Sequence, residues 1–593
     1  MATSGSIPVR PPGIVVRRAP AGPEPLGLME AGVPVFLGLC ERGPTNEPVR
    51  IGSMAQFRDV FGHLAVGTYL AESVDGFFLN GGDHCFVMRI AHLFEQGKRQ
   101  IATKASTRLR DAQKQNSLLV QAISEGSWGD ALRVSVSPTP ASVQTFITMD
   151  AHATDTSVSV KSTYGFARGT LVKIFDDEHA EYRVLSAIEG RTLTWSTLEP
   201  LAHEFRSSAP TMVEPIGFDL VVQSHQARET FRGLNLARQS PWYAERVING
   251  TSKLITVSNL ESQSGTPGHF PVEAQNVALE NGADGLYTVT AEDFIGADFG
   301  PGQRYGLKGI AEFEEIDLIV MPDLPWCVEQ KNGFQSVKDM EFVQQEAVDI
   351  CEARKDRFCI LDFPPDTTPT GAMQWRRLFD TSYAAFYYPY LQPSTPRPLG
   401  SRFVPPSGHV AGVYARCDQA EGVFRAPANE TLEGVVDLSV GIQQNDLTAL
   451  NREGINCMQT FAQRGIRVWG ARTASSDPML RFVNVRRTIA AIARALQIGL
   501  QWTVFENNGP ELWSMLERDC EIFLEQLWRQ GYLRGASPEE GFFVTCSEEN
   551  NPIAGLNKGR VVVDVGVAPF RPSEFIAVRV VQEIDVLSRE DGI

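Results

Sequence analysis

Residue types that could do chemistry are thinly spread along this chain. The run Gly300-Pro-Gly302-Gln-Arg-Tyr-Gly306-Leu-Lys308-Gly309 is glycine-rich. Its spacing is wrong for a phosphate cradle, and no Ser or Thr follows the lysine to reach a magnesium ion. It reads as a surface loop. There is no HExxH pair and no Cys/His group at zinc spacing. The nine cysteines, Cys40, Cys85, Cys327, Cys351, Cys359, Cys417, Cys457, Cys520 and Cys546, stand singly with no CxxC, several inside apolar runs. They read as buried free thiols of a reducing compartment. The acidic pairs Glu314-Glu315 and Glu539-Glu540 suit solvated faces or helix starts. Acid–base catalysis needs perturbed carboxylates converging in a shared cleft, which a sequence by itself does not show. No cofactor and no metal site is expected.

The chain that must position any site has 593 residues, 43% of them hydrophobic, and a formal net charge of −17. That length predicts roughly 3–5 domains, or one core with large insertions. The acidic balance argues against contact with nucleic acid, because phosphate neutralisation needs surplus Lys and Arg. The opening MATSGSIPVRPPG has no charged and apolar leader pattern, so no secretory signal is expected. No apolar run approaches ~18 residues, so no membrane span is expected either.

Residues 1–29 are rich in Pro, Gly and Arg and read as an extended arm, with Ile14, Val15 and Val16 a short strand candidate. Residues 30–115 carry strand, helix and strand patterns: Val33–Leu39, a helix with Tyr69, Ser73, Phe77 and Phe78 near helical spacing that stops at Asn80-Gly-Gly, then His84–Ile90. Residues 116–223 hold short β-rich runs separated by turn residues, predicting a sandwich-like or barrel-like insertion with Trp128 and Trp195 as core anchors. Residues 224–400 alternate strand and helix. Ile316–Met321 is a strand, Ser336 with Asp339 forms a capping box, Val337, Met340, Val343, Ala347, Ile350 and Cys351 make one apolar helix face, and Arg357–Phe363 is the next strand. Such a unit is a parallel crossover. Residues 401–574 form a last domain, and 575–593 a terminal strand with apolar residues on both faces, among them Ile576, Val578 and Val580.

The order RGIRVWGART, SSDP, FVNVRR, QWTVFE, FLEQLWRQGYLRGA and GVAPFRPSEF in the last 190 or so residues resembles the C-terminal domain of contractile tail sheath proteins, found in contractile phage tails and bacterial contractile injection systems. PGIVVRR near the start is similar to that family's N-terminal strand arm, and ERGPTNEPVRIGSMAQFRDVFG to its N-terminal segment. The resemblance implies a multidomain α/β and α+β chain: a subtilisin-like α/β middle domain without a catalytic triad, a β-rich insertion, and an α+β C-terminal domain with extended arms. It implies a structural subunit assembled in the bacterial cytoplasm, without enzymatic activity, in hexameric rings stacked helically around an inner tube, contracting to drive that tube through an envelope. Its partners would be other copies of itself, the inner tube protein, and baseplate and terminal cap proteins. Strand exchange between subunits would use Ile14, Val15 and Val16 with Ile576, Val578 and Val580. A helix from about Pro510 to Tyr532 would face the tube with Glu517, Arg518, Glu521, Glu525 and Arg529, opposite a stripe of Leu512, Trp513, Leu516, Cys520, Phe523, Leu524 and Leu527.

The subtilisin likeness raises a rival, a serine hydrolase. Ser407-Gly-His409 resembles the end of a subtilase histidine motif and Gly250-Thr-Ser252 the beginning of a nucleophile motif. The subtilase order is Asp, His, Ser, whereas Ser252 here precedes His409. The His-Gly-Thr before the histidine is missing, and Lys253 follows the serine. A non-contractile tail or baseplate protein is the rival within the structural class.

Overall fold

The apolar runs that read as buried strands meet in one nine-stranded sheet. The computed structural model describes residues 26–574 apart from 64–66, 94–100, 140–142, 226, 237, 239, 261–269, 301–303, 331–332, 395–401 and 553–559. Both expected strand-exchange arms, with Ile14, Val15, Val16, Ile576, Val578 and Val580, lie outside the described residues. The strands of the sheet are β1 (Pro34–Gly38), β2 (Val49–Ile51), β3 (Cys85–Arg89), β4 (Leu318–Val320), β5 (Phe358–Leu361), β6 (Ala384–Tyr388), β7 (Glu430–Thr431), β8 (Ile455–Phe461) and β9 (Gly465–Trp469). Their order is β2-β3-β1-β4-β5-β6-β8-β9-β7. From β3 through β8 every neighbour is parallel; β2, β9 and β7 pair antiparallel at the two margins. Every residue of β1, β3, β4, β5 and β6 is buried, as expected of parallel strands covered on both faces.

Three helices show how local sequence becomes packing. Helix α1 (Leu70–Leu79) stops at Asn80, whose side-chain amide donates to the Gly76 carbonyl at 2.8 Å. Helix α2 (Val337–Arg354) starts in the expected capping box: Ser336 Oγ accepts from Lys338 N–H and Asp339 accepts from Ser336 N–H at 3.0 Å. Its buried face holds Met340, Val343, Gln344, Ala347, Val348 and Cys351, while Val337, at the first helical position, is exposed. Helix α3 (Ser407–Ala420) lies against α1. Gly76, Gly408 and Gly412 sit at this contact, and a Cβ on any of them would come within 2.4 Å of the opposite helix.

The β-rich region is larger than the expected 116–223. Asn116–Ala122 pairs with Ser106–Arg110 and with Ile255–Asn259, and Arg133–Pro138 pairs with Phe218–Gln223 and Ala274–Ala278. The region therefore runs from about 102 to 283 and takes its closing strands from the stretch expected to open the α/β domain. It has two cores. One gathers Leu118, Val134, Leu220 and Ile255; the other, around Val172, Ile174, Leu193 and Trp195, belongs to a separate six-stranded sheet. Trp195 is the buried anchor expected. Trp128 is only half-buried, its Nε1 donating to the Glu125 carbonyl at 3.2 Å.

The expected boundary at 401 also moves. Helix α3 and strands β7, β8 and β9 belong to the central sheet, and the apolar core of that sheet extends as far as Val483. Distinct cores follow, built on helices α4 (Val483–Gly499) and α5 (Pro510–Arg529) and the pair Phe542–Thr545 with Asp564–Val567. Helix α4 begins only at Val483, because Asp477–Arg481 makes a turn with Leu480 N–H donating to the Asp477 carbonyl at 3.2 Å. Leu26 and Leu28 pack into this C-terminal core, so residues 26–28 are not part of a free arm.

Candidate assembly surfaces

Helix α5 places five of its apolar residues at 3–4 spacing with two more beside them. Leu512, Trp513, Leu516, Cys520, Phe523, Leu524 and Leu527 are all buried, as the stripe predicts. On the opposite side Arg518 and Arg529 are exposed, and Arg529 pairs with Glu525 one turn back at 2.6 Å. Glu521 is exposed as well. Glu517 departs from the expectation: it is half-buried and accepts from the Cys546 backbone N–H at 3.4 Å, so it serves the adjoining β-strand pair. Met515 and Ile522 are exposed beside the charges, Ile522 at 58%. The face is thus a mixed row in which Met515, Arg518, Ile522, Glu525 and Arg529 follow one another at helical spacing, with apolar residues that the charge pattern hid.

The loop before α5 adds a feature that residue type alone did not show. Phe505 is fully exposed and holds φ +73°. A bulky residue at positive φ is strained. Val504 beside it is 62% exposed. The sequence signal was Asn507-Asn508-Gly509, a turn cluster one residue after the apolar pair Val504-Phe505.

The inner ends of both terminal segments are held by ion pairs, buried at the N-terminal end and partly exposed at the C-terminal end. Asp317, just before β4, accepts N–H groups of Gly32 (3.0 Å) and Val33 (2.7 Å) and pairs with Arg487 of α4 at 2.9 Å. Arg487 also pairs with Asp418 of α3 at 2.6 Å. Burial pushes Asp418 up to about 6, with the Arg487 charge acting the other way. Burial lowers the affinity of Arg487 for its proton, but the two carboxylates outweigh that and hold it charged. At the other end Arg472 bonds Glu574 through Nε at 2.7 Å and through Nη2. Asn484 donates to the carbonyls of Phe424 (2.8 Å) and Phe570 (3.0 Å). Residues 567–574 are therefore strapped across the C-terminal unit, and Glu574 meets the margin of the central sheet. The buried arginine could have been foreseen: in α4, Val483, Arg487, Ala490 and Arg494 share one helix face at 3–4 spacing, and all four are buried.

The hydrolase fragments are taken up elsewhere. Ser252 donates to Glu229 at 2.6 Å and its oxygen accepts N–H groups of Leu254 and Ile255, which fixes a turn in the β-rich region. His409 is buried in α3 with its ring against Gly76. Ser407 donates to Asp362, whose carboxyl burial pushes up to about 7 while the Ser407 hydrogen bonds pull it down. The nucleophile and base fragments lie in two different units with these separate partners. The nine cysteines are all buried free thiols. Among the described residues no helix is long and apolar enough to cross a membrane. One group among them, Glu30, Asp83 and His84, has metal-ligand spacing.

Residues 307–474 match the model of the phage tail sheath protein central domain, and 475–583 that of the phage tail sheath C-terminal domain. The boundary between them falls where the central sheet gives way to the C-terminal core. The tail sheath protein of Burkholderia phage BcepMu is 24% identical over 387 residues, 62% of this chain and 74% of that protein. That of Vibrio phage KVP40 is 27% identical over 185 residues, 30% of this chain and only 27% of the relative's length. The helical sheath of the anti-feeding prophage in its contracted state shares the fold, with a TM-score of 0.50 at 18% identity over 96% of this chain and 99% of that one. Two adjoining sheath domain models, meeting at the structural boundary, place residues 307–583 of this chain in the phage tail sheath family.

Proposed function

We propose that this chain is the repeating structural subunit of a contractile sheath, part of a phage tail or injection particle, and that it acts without catalysis. The observation that carries this reading is the C-terminal unit. It presents the mixed face of α5 to solvent and anchors both terminal segments at its margins. In this reading α5 lies against an inner tube. Its contacts are exposed and charged, each worth on the order of 0–1 kcal/mol, which lets the sheath hold the tube along its length and still release it. The segments beyond Leu26 and Glu574 add strands to neighbouring subunits, using Ile14, Val15 and Val16 at one end and Ile576, Val578 and Val580 at the other. Each backbone bond so formed nets roughly 0.5–1.5 kcal/mol. Subunits joined in this way assemble as hexameric rings, stack helically, and contract by rigid-body repacking. The parallel central sheet is in this reading the subtilisin-like element of the family, and the region from 102 to 283 faces outward. Baseplate and cap proteins close the two ends, and assembly takes place in the bacterial cytoplasm.

The test is negative-stain microscopy of the full chain, alone and co-expressed with its neighbouring genes. Hollow striated cylinders of uniform diameter, lost on deleting residues 1–20 or 575–593, are expected. Cylinders that survive both deletions would sink the strand-exchange mechanism. Monomers under every condition would remove the sheath subunit reading.

A further inference from the structure

His84 opens strand β3 with its side chain 7% exposed and its Nδ1 turned toward two carboxylates from separate parts of the chain. Asp83 Oδ2 is 3.5 Å away and Glu30 Oε1 3.7 Å. All three atoms lie within 4.8 Å of one another. These distances are long for a ring N–H bonding an oxygen, which prefers about 2.7–3.2 Å. They suit a shared ion better. Ligand atoms about 2.1 Å from a tetrahedral zinc are about 3.4 Å apart. We propose that Glu30, Asp83 and His84 form a binding site for a divalent first-row transition ion of the zinc class.

The chemistry of the donors sets the class. One imidazole with two carboxylates and an open position suits zinc, cobalt or manganese, whereas magnesium and calcium prefer sites made wholly of oxygen. The imidazole is fixed by burial. The carboxylates are 59% (Glu30) and 76% (Asp83) exposed, so they can close on an ion without repacking the core. The turn that carries Asp83 and His84 is itself rigid. Gly81 and Gly82 N–H groups donate to Phe78 and Phe77 carbonyls at 3.2 and 3.0 Å, and Gly81 holds φ +99°. A Cβ on Gly82 would lie 2.3 Å from the Phe77 ring. Opposite this turn, Glu30 lies on the stretch that runs from Leu28, packed in the C-terminal core, to Gly32, whose N–H Asp317 accepts. A bound ion would clip that incoming segment to the α1–β3 turn. The metal site stands on this geometry alone and does not depend on the sheath reading.

The full-length chain would be titrated with zinc by calorimetry, with cobalt by visible absorption, and with magnesium as control. One equivalent of zinc bound at micromolar affinity is expected. Glu30→Gln and Asp83→Asn should each weaken zinc binding about tenfold or more, and His84→Gln should abolish it. Zinc should also slow hydrogen exchange across residues 28–33 and 82–86. Because His84 is buried, its variant could misfold; the two exposed carboxylate variants keep the proposal testable. No zinc binding in a folded chain, magnesium binding as tightly as zinc, or zinc binding that survives both carboxylate substitutions would overturn it.

Discussion

Arg472 grips Glu574 with two of its guanidinium nitrogens, and a third donates to the Asn451 carbonyl at 2.9 Å. Arg472 lies just past β9, at the margin of the central sheet; Glu574 is the last residue of the strapped C-terminal element. The pair joins the two domains matched by the family models. Arg472→Ala leaves a partly exposed carboxylate without its partner and should cost about 1 kcal/mol of stability. Glu574→Gln, which retains a hydrogen-bonding group, should cost less. Urea denaturation of the two variants checks the order. Equal and negligible effects would mean that the pair is decoration.

The α1–α3 contact is a matter of space. A Cβ on Gly76 would meet the His409 ring at 2.4 Å, and one on Gly408 would meet the Ser73 backbone at a similar distance. Gly408→Ala should therefore cost about 1–3 kcal/mol, since the backbone it meets cannot rotate away. Gly76→Ala should be costly in the wild type and partly rescued by His409→Ala. A double-mutant cycle read by thermal unfolding measures that coupling. Coupling near zero would mean that His409 is not the obstructing group.

What the sequence disclosed follows the range of the interactions. The capping box of Ser336 and Asp339 was legible because both partners sit within one turn. The stripe of α5 was legible because periodicity is local. Helix α1 shows the opposite case. Its N-terminal N–H groups at Tyr69 and Leu70 are bonded by Asp323, far along the chain, and nothing near Tyr69 hints at that partner. The β-rich region was drawn too short for the same reason, since Ile255–Asn259 completes a sheet begun at Ser106. Charge pattern marked the exposed face of α5 but overlooked Met515 and Ile522, and it gave Glu517 to solvent although the Cys546 backbone engages it.

Asp362 makes stability depend on pH. Its folded-state value, about 7, lies above the ordinary 3.8 because burial penalises the charged form. The folded chain therefore holds a proton that the unfolded chain has released, and this contribution is full below about pH 4 and lost as pH rises through about 7. The loss is on the order of 1–4 kcal/mol. Asp362→Asn, which keeps an acceptor for Ser407, should flatten the fall in melting temperature between pH 4 and pH 7. An unchanged slope would mean that other carboxyls dominate, with Asp323, raised by burial to about 6, the next to test.

The exposed face of α5 separates stability from assembly. Glu525 and Arg529 form an exposed i,i+4 pair, worth about 0.3–0.5 kcal/mol. Reversing charges at Glu521 and Glu525 to lysine should leave the melting temperature within about 2 °C of wild type. Substituting Ile522 by serine should be equally mild, because its side chain is already in water. If α5 holds an inner tube, those same variants should co-purify with less of the tube protein and yield fewer filled cylinders, with charge reversal more sensitive to salt than the Ile522 change. Arg518, exposed on the same row, should behave like Glu521. Variants that keep full tube content at every salt concentration would move the tube contact off α5, and the strained, exposed Phe505 in the loop before it would be the next residue to change.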